Sequence, residues 1–141
     1  MQIKVKRLTE TAKIPSYATK GAACFDFFAD SCGVAYGNFP ANIRTGLSFE
    51  IPEGNSMLIF SRSGYGFKND VRLANCVGVI DSDYRGEVFV KLTKDTPFGF
   101  PVQIGDRIAQ GMIIPVEQVS FVESELSETE RGAKGFGSSG R

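Results

Sequence analysis

The chain contains neither histidine nor tryptophan. Without histidine there is no Ser-His-Asp or Cys-His nucleophile system, no imidazole base and no imidazole metal ligand. Cysteine is scarce: Cys24, Cys32 and Cys76 are odd in number, and no two follow C-x-x-C spacing. That pattern argues against a disulfide framework or a structural zinc site and for reduced thiols. Neither sign of charge is in excess, since 16 Lys plus Arg balance 16 Asp plus Glu. A general binder of nucleic acid or membrane surface carries a basic excess, and here there is none. Long apolar runs are missing too. The segment MIIPV at 112–116 is of strand length, far short of the roughly 18 residues of a spanning helix. The opening MQIKVKRLTE carries charges throughout and lacks the apolar core and cleavage site of a secretory signal. The expectation is a soluble, cytoplasmic protein with no nucleic-acid or membrane partner.

What is present is a chain of 141 residues with 16 glycines and 12 phenylalanines, the size of one domain. Period-two alternation recurs between turn signals. Ile3 and Val5, then Leu47, Phe49 and Ile51, then Val88, Val90 and Leu92, then Val119 and Phe121 each alternate with polar or outward residues. The runs MLIF at 57–60 and MII at 112–114 read as more buried strands. This pattern predicts an all-β fold, a jelly-roll-like sandwich or barrel of many short strands. At most one short helix is expected, over 69–76 (NDVRLANC), with Asn69 or Asp70 as its cap. From Glu123 to Arg141 the composition changes to ESELSETERGAKGFGSSGR. So few apolar residues cannot offset the roughly 1–2 kcal/mol of backbone entropy per ordered residue. Residues 1–122 are therefore expected to form the core, and 123–141 a flexible glycine-rich arm. Phe136, a lone aromatic among glycines, suits a tail that orders over something flat.

Four strips carry the chemistry. Gly135-Phe136-Gly137-Ser138-Ser139-Gly140 matches G-x-G-x-x-G, but no strand precedes it and no helix follows, so the dinucleotide reading fails. A flexible phosphate clasp survives, because glycines free successive N–H groups for an anion, with Arg131 and Lys134 just upstream. Ser61-Arg62-Ser63-Gly64-Tyr65-Gly66 places a guanidinium fork and a hydroxyl at the end of an apolar strand. Gly78 to Val88 reads as a hairpin whose turn holds Asp81, Ser82, Asp83, Tyr84 and Arg85. Gly105-Asp106-Arg107-Ile108-Ala109-Gln110 reads as a turn entering a strand. The stretch 29–42 is loop-like and open to a contact private to this protein.

Taken in this order, the strips resemble the trimeric deoxyuridine triphosphatase (dUTPase) family. The match runs from about residue 12 to the C-terminus. Ala22-Ala23-Cys24-Phe25-Asp26-Phe27 stands for the first family motif, with Cys24 where the family usually has glycine. Arg62-Ser63-Gly64, Gly78–Gly86, Gly105–Gln110 and Arg131–Gly140 stand for the other motifs. Tyr65-Gly66-Phe67 follows Gly64 where Leu-Ala is frequent, and Lys134 replaces a glycine in the tail.

The resemblance implies a jelly-roll homotrimer with active sites shared between subunits. It implies hydrolysis of dUTP to dUMP and pyrophosphate with Mg²⁺, supplying dUMP and keeping uracil out of DNA. It assigns Asp81 to the attacking water, and Arg62, Ser63, Gly64, Gln110, Arg131, Gly137 and Ser138 to the phosphates. Asn75, Gly78, Tyr84 and Phe136 go to uracil and deoxyribose, and Asp26 to Mg²⁺ through water. Two alternatives stand beside this reading. A dCTP deaminase relative shares the fold, but that family has a Pro-Gly-Trp type sequence in place of Ser82-Asp83-Tyr84. A nucleotide-gated protein-interaction module is compatible with the same fold.

Overall fold

A computed structural model describes residues 1–136. Its strands are β1 (Lys4–Arg7), β2 (Ser16–Tyr17), β3 (Phe25–Phe28), β4 (Gly33–Ala35), β5 (Ala41–Arg44), β6 (Leu47–Glu50), β7 (Asn55–Phe60), β8 (Val71–Leu73), β9 (Val77–Ile80), β10 (Phe89–Lys94), β11 (Phe100–Val102) and β12 (Arg107–Pro115). Among the described residues there is one helix, α1, over Ser63–Asn69. The expected all-β architecture is the one that forms.

The largest sheet has five antiparallel strands in the order β2-β3-β12-β7-β9. The others pair β5-β10-β8, β1-β6 and β11-β4. One continuous core fills the space between them. Phe27, Ile43, Leu47, Met57, Leu73, Leu92 and Ile108 are its largest fully buried side chains. Alternation places them there, since successive strand residues face opposite sides of a sheet. In β6 and β10, Leu47, Phe49, Val90 and Leu92 are buried, as their spacing predicts. A row of edge-to-face rings, Tyr17–Phe25–Phe27–Phe49, extends from the sheet edge into the core with centroids 5.6–5.9 Å apart.

Several local expectations are overturned. The helix lies over Ser63–Asn69, ahead of the predicted 69–76, and Asp70 closes it in the left-handed conformation with φ 55°. Residues 71–73 are β8, because Val71 and Leu73 are buried against β10. The Gly78–Val88 strip is not a hairpin: β9 pairs with β7, whereas β10 pairs with β5 and β8 in another sheet. Two adjacent apolar strands with a turn between them do not reveal whether they share a ladder. Within the loop-like stretch 29–42, the strand β4 and the start of β5 form. The alternating segment around Val119 and Phe121 has no strand, and its side chains are 67% and 95% exposed. Its alternation finds no partner strand among the described residues.

A polar knot secures the end of β3 away from Asp26. Asp30 is buried and accepts hydrogen bonds from the hydroxyls of Thr9 and Thr11, both at 2.6 Å. Its backbone N–H donates to the carbonyl of Arg44 at 2.8 Å, and the Thr9 hydroxyl accepts from the amide of Ala12 at 3.1 Å. Removing a buried acceptor strands both donors. Asp30→Ala is expected to lower the unfolding free energy in urea by about 2–4 kcal/mol, and Thr11→Val by about 1 kcal/mol. An Asp30→Ala protein as stable as the parent would show that the knot is incidental.

Candidate active site

A cavity of about 470 Å³ opens at one end of the five-stranded sheet, lined by Cys24, Asp26, Arg62, Ser63, Arg107 and Gln110 among others. Strand pairing assembles it. Gln110 on β12 stands opposite Asp26 on β3 and Phe60 at the end of β7. Arg62 and Ser63 follow directly where β7 passes into α1. In a regular strand Arg107 and Gln110, three positions apart, would face opposite sides. A register shift between Arg107 and Ala109 places Arg107 opposite Phe28 and Gln110 opposite Asp26. Residues 26 and 28 lie on one face, so the irregularity turns Arg107 toward the cavity as well.

The polar groups hold one another. Nε of Arg62 lies 3.3 Å from Oδ1 of Asp26, and Nη1 of Arg107 lies 3.4 Å from Oδ2. The Asp26 side chain is only 13% exposed. Arg62 also donates from Nη1 to the carbonyl of Arg107 at 3.0 Å, and its guanidinium lies 5.5 Å from the Tyr65 ring centroid. That ring packs edge-on against Phe100. Burial pushes the Tyr65 hydroxyl above its ordinary pKa, and the charge of Asp106 adds to the effect. The amide of Gln110 donates from Nε2 to the carbonyl of Ser61 at 2.9 Å, while the Ser61 hydroxyl accepts from the amide of Leu73 at 2.9 Å. Cys24 is half-buried on the cavity wall, and burial followed by the charge of Asp26 pushes its thiol up in pKa. Ser63 and Gly64 open α1, where amides have no acceptor within the helix.

Asp81 is elsewhere. Ile80 on β9 stands opposite Met57 on β7, so Asp81 follows level with Ser56, at the far end of β7 from Phe60. Four residues at roughly 3.3 Å each, plus the width of β7, separate it from Gln110 by on the order of 15 Å. Asp81 lines a different cavity of about 810 Å³, together with Asn55, Ser82, Asp83, Arg85 and Gln118. Within one chain the carboxylate and the arginine-rich cavity do not meet.

Asn75 lies in the turn before β9, Gly78 on the strand, and Tyr84 in the turn after it. A Cβ at Gly78 would sit 3.3 Å from Cβ of Ile59 and 3.8 Å from Nδ2 of Asn75, so this backbone packs closely against β7. Cys76 beside it takes a positive φ of 63°. The Tyr84 amide donates to the carbonyl of Asp81 at 3.3 Å, and its hydroxyl donates to the carbonyl of Glu87 at 3.0 Å. A Cβ at Gly86 would lie 2.5 Å from Cζ of Tyr84, so the ring occupies the space that only glycine leaves open. Glu87 receives a bidentate Arg44 at 3.1–3.2 Å and the amide of Gly46 at 2.8 Å. Sequence reasoning left Arg107, Ser61 and Glu87 unassigned. Arg107 stood in a strip already singled out, but the register shift that aims it has no signature in the sequence.

Arg131 and Phe136 lie on the segment after β12, which carries no strand or helix through residue 136. Nε of Arg131 donates to the carbonyl of Lys134 at 3.2 Å, and Phe136 is fully exposed. Gly137 and Ser138 lie outside the described residues.

Comparison with known proteins identifies the family. The family model described as dUTPase matches residues 10–140. The deoxyuridine 5'-triphosphate nucleotidohydrolase of Nautilia profundicola is 44% identical over 142 residues, covering 100% of both proteins. That of Helicobacter hepaticus is 43% identical, covering 99% of this chain and 89% of the relative. Among solved structures, the dUTPase of Staphylococcus bacteriophage 80alpha with dUPNHPP superimposes with a TM-score of 0.87 at 30% identity, covering 99% of each chain. The chain belongs to the dUTPase family. Its fold is the jelly-roll β fold of those enzymes.

The packing of Tyr84 over Gly86 gives a direct test. Gly86→Ala is expected to displace the ring, break the Tyr84–Glu87 hydrogen bond in a crystal structure, and cost about 1–3 kcal/mol of stability from overpacking. An unshifted Tyr84 in that variant would mean that the turn yields instead.

Proposed function

We propose that the chain hydrolyses dUTP to dUMP and pyrophosphate, in a homotrimer whose sites are shared between subunits. The observation that carries this reading is the convergence of Asp26, Arg62, Ser63 and Gln110 on one cavity. These residues come from three distant stretches of a chain in the dUTPase family. The named relatives are nucleotidohydrolases of deoxyuridine 5'-triphosphate, and a phage relative binds the analogue dUPNHPP. The sharing of sites is supported by the separation of Asp81 from that cavity. One chain cannot aim both at a single phosphorus, so a second copy must supply Asp81.

In this reading Asp81 orients the attacking water and takes its proton, a role worth roughly 10²–10⁴ in rate. The water attacks the α-phosphorus in line, and pyrophosphate leaves. Gln110, held to Ser61, faces the α-phosphate, and the Ser63 hydroxyl and Gly64 face the phosphate chain. Arg62, seated over Tyr65, and Arg131 bind its charge. Asn75 and the backbone at Gly78 pair with the uracil edge. Cytosine would leave those groups unpaired, a discrimination of about 10⁴ or more. Tyr84, fixed by Glu87 and Gly86, lies against the deoxyribose where a 2′-hydroxyl would need room. The arm over 123–141 closes on the nucleotide, placing Gly137 and Ser138 on phosphate and stacking Phe136 on uracil, worth roughly 1–3 kcal/mol.

The cavity suits Mg²⁺ held mostly by phosphate. Asp26 is its one acidic side chain, and no group of three metal-binding side chains occurs among the described residues. A single hard oxygen donor matches an ion that keeps its waters and binds through substrate phosphates. Asp26 would hold it through water, and the ion would supply charge neutralisation on the phosphate oxygens. No helix among the described residues is long and apolar enough to cross a membrane. We place the protein in the cytoplasm.

The test is pyrophosphate release with Mg²⁺ from each deoxynucleoside triphosphate in turn. Release from dUTP alone, with no ammonia from dCTP, is expected; ammonia from dCTP would favour the deaminase relative. Asp81→Asn is expected to lower turnover at least about 10²-fold with folding intact. Mixed trimers of Asp81→Asn chains and chains lacking 131–141 are expected to regain activity. No recovery in verified mixed trimers would show that each subunit acts alone.

A further inference from the structure

The carboxylate of Asp26 stands between two guanidinium groups and fully satisfies neither. Its contacts to Arg62 and Arg107, 3.3 and 3.4 Å, are longer than the about 2.7–2.9 Å of well-made charged hydrogen bonds. The other polar side chains on the cavity wall, Ser63 and Gln110, are neutral, so one negative charge faces two positive ones. The arginines differ in freedom. Arg62 is 22% exposed and held by Tyr65 and the carbonyl of Arg107, whereas Arg107 is 51% exposed. Arg107 can therefore turn toward an incoming anion while Arg62 stays seated.

We propose that Asp26 is the resident counter-anion of Arg62 and Arg107, and that a polyphosphate chain takes the Arg107 guanidinium from it on binding, while Arg62 stays seated and offers its remaining donors. This rests on reading the cavity as the phosphate site. It makes Arg107 a second phosphate-binding arginine from the same cavity. It also gives Asp26 a role before any ligand arrives. A metal-free polyphosphate must displace the carboxylate and then face it as a neighbouring negative charge. The cavity thus discriminates against polyphosphates that arrive without a cation.

The test measures binding of inorganic pyrophosphate to the full-length assembly in chelator, at fixed pH and low salt, by calorimetry. Asp26→Asn is nearly isosteric and removes the competing charge. It is expected to bind metal-free pyrophosphate roughly five- to twentyfold more tightly than the parent, the scale of one charge-assisted contact regained. The gain should shrink as salt rises, because Arg107 is half exposed. In the Arg107→Gln background most of the gain should vanish. Should Asp26→Asn not fold, the parent gives a second reading by NMR. The Asp26 carboxyl carbon and the Arg107 Nε–H resonances are expected to shift together along one pyrophosphate titration. Equal or weaker metal-free binding by folded Asp26→Asn, a full gain without Arg107, or a saturating titration that leaves Arg107 unmoved would each overturn the exchange. A parent that hydrolyses dUTP but shows any of these results rejects the exchange alone. A parent that neither hydrolyses dUTP nor binds pyrophosphate rejects the reading beneath it.

Discussion

Strand β7 lies between β12 and β9, and its length sets the distance over which the chain's polar chemistry is divided. Its C-terminal end, at Phe60, is level with Gln110 and delivers Arg62 and Ser63. Its N-terminal end, near Ser56, is level with the start of the Asp81 turn. The Ser56 hydroxyl donates to the carbonyl of Ile80 at 2.8 Å, which ties that end of the ladder in place. Because the side-chain period is two, a one-residue slip would turn Met57 and Ile59 out of the core. Both are buried, so core packing locks the same register that separates Asp81 from the cavity at Gln110.

The second constraint is electrostatic and depends on an irregularity. A regular β12 would send Arg107 away from Asp26, leaving a simple Asp26–Arg62 pair beside Gln110. The shifted register adds a second cation to a small, partly enclosed space. Of the two cations, Arg62 is held further by the Arg107 carbonyl and by the Tyr65 ring. Tyr65 gives the Arg62 guanidinium a platform, and Phe100 packs edge-on against that ring. Here packing and charge act on the same side chain: the ring that fills space also limits where the arginine can go.

How far the sequence reveals this depends on the range of the interaction involved. Alternation over 47–51 and 88–92 identifies strands because each position reports locally whether it faces the core. The strip Arg62-Ser63-Gly64 is legible for the same reason, being a contiguous run of donors after an apolar strand. Pairing partners are not local. The Gly78–Val88 strip has every sign of a hairpin, yet its flanking strands enter different sheets because β10 finds better-buried neighbours in β5 and β8. The helix boundary is misread because Asn69 and Asp70 resemble an N-cap, whereas Asp70 closes the preceding helix in a left-handed conformation. The register shift in β12 is wholly invisible, since Arg107-Ile108-Ala109 has no glycine or proline to mark it. The candidate residues were thus legible as types at positions, while the separation of Asp81 from the cavity of Asp26, Arg62, Ser63 and Gln110 within one chain was not.

That grouping bears on the exposed apolar surface. Val77 and Val79, on the strand leading to Asp81, are 41% and 60% exposed. On the segment after β12, Val119, Phe121, Val122 and Leu126 are 67–95% exposed. Alternation around Val119 and Phe121 is strand-like, yet it pairs with no strand among the described residues. Apolar burial contributes about 25 cal/mol per Å², so covering these two surfaces would favour association by a wide margin over a single salt bridge. If contacts in the proposed trimer cover β9, they would bring another copy toward the strand that leads to Asp81. Contacts that took up the segment after β12 would carry Arg131 and Phe136 toward a neighbour. Assembly and chemistry would then share one driving force: the surface left uncovered in the lone chain lies beside the groups that the lone chain cannot bring together.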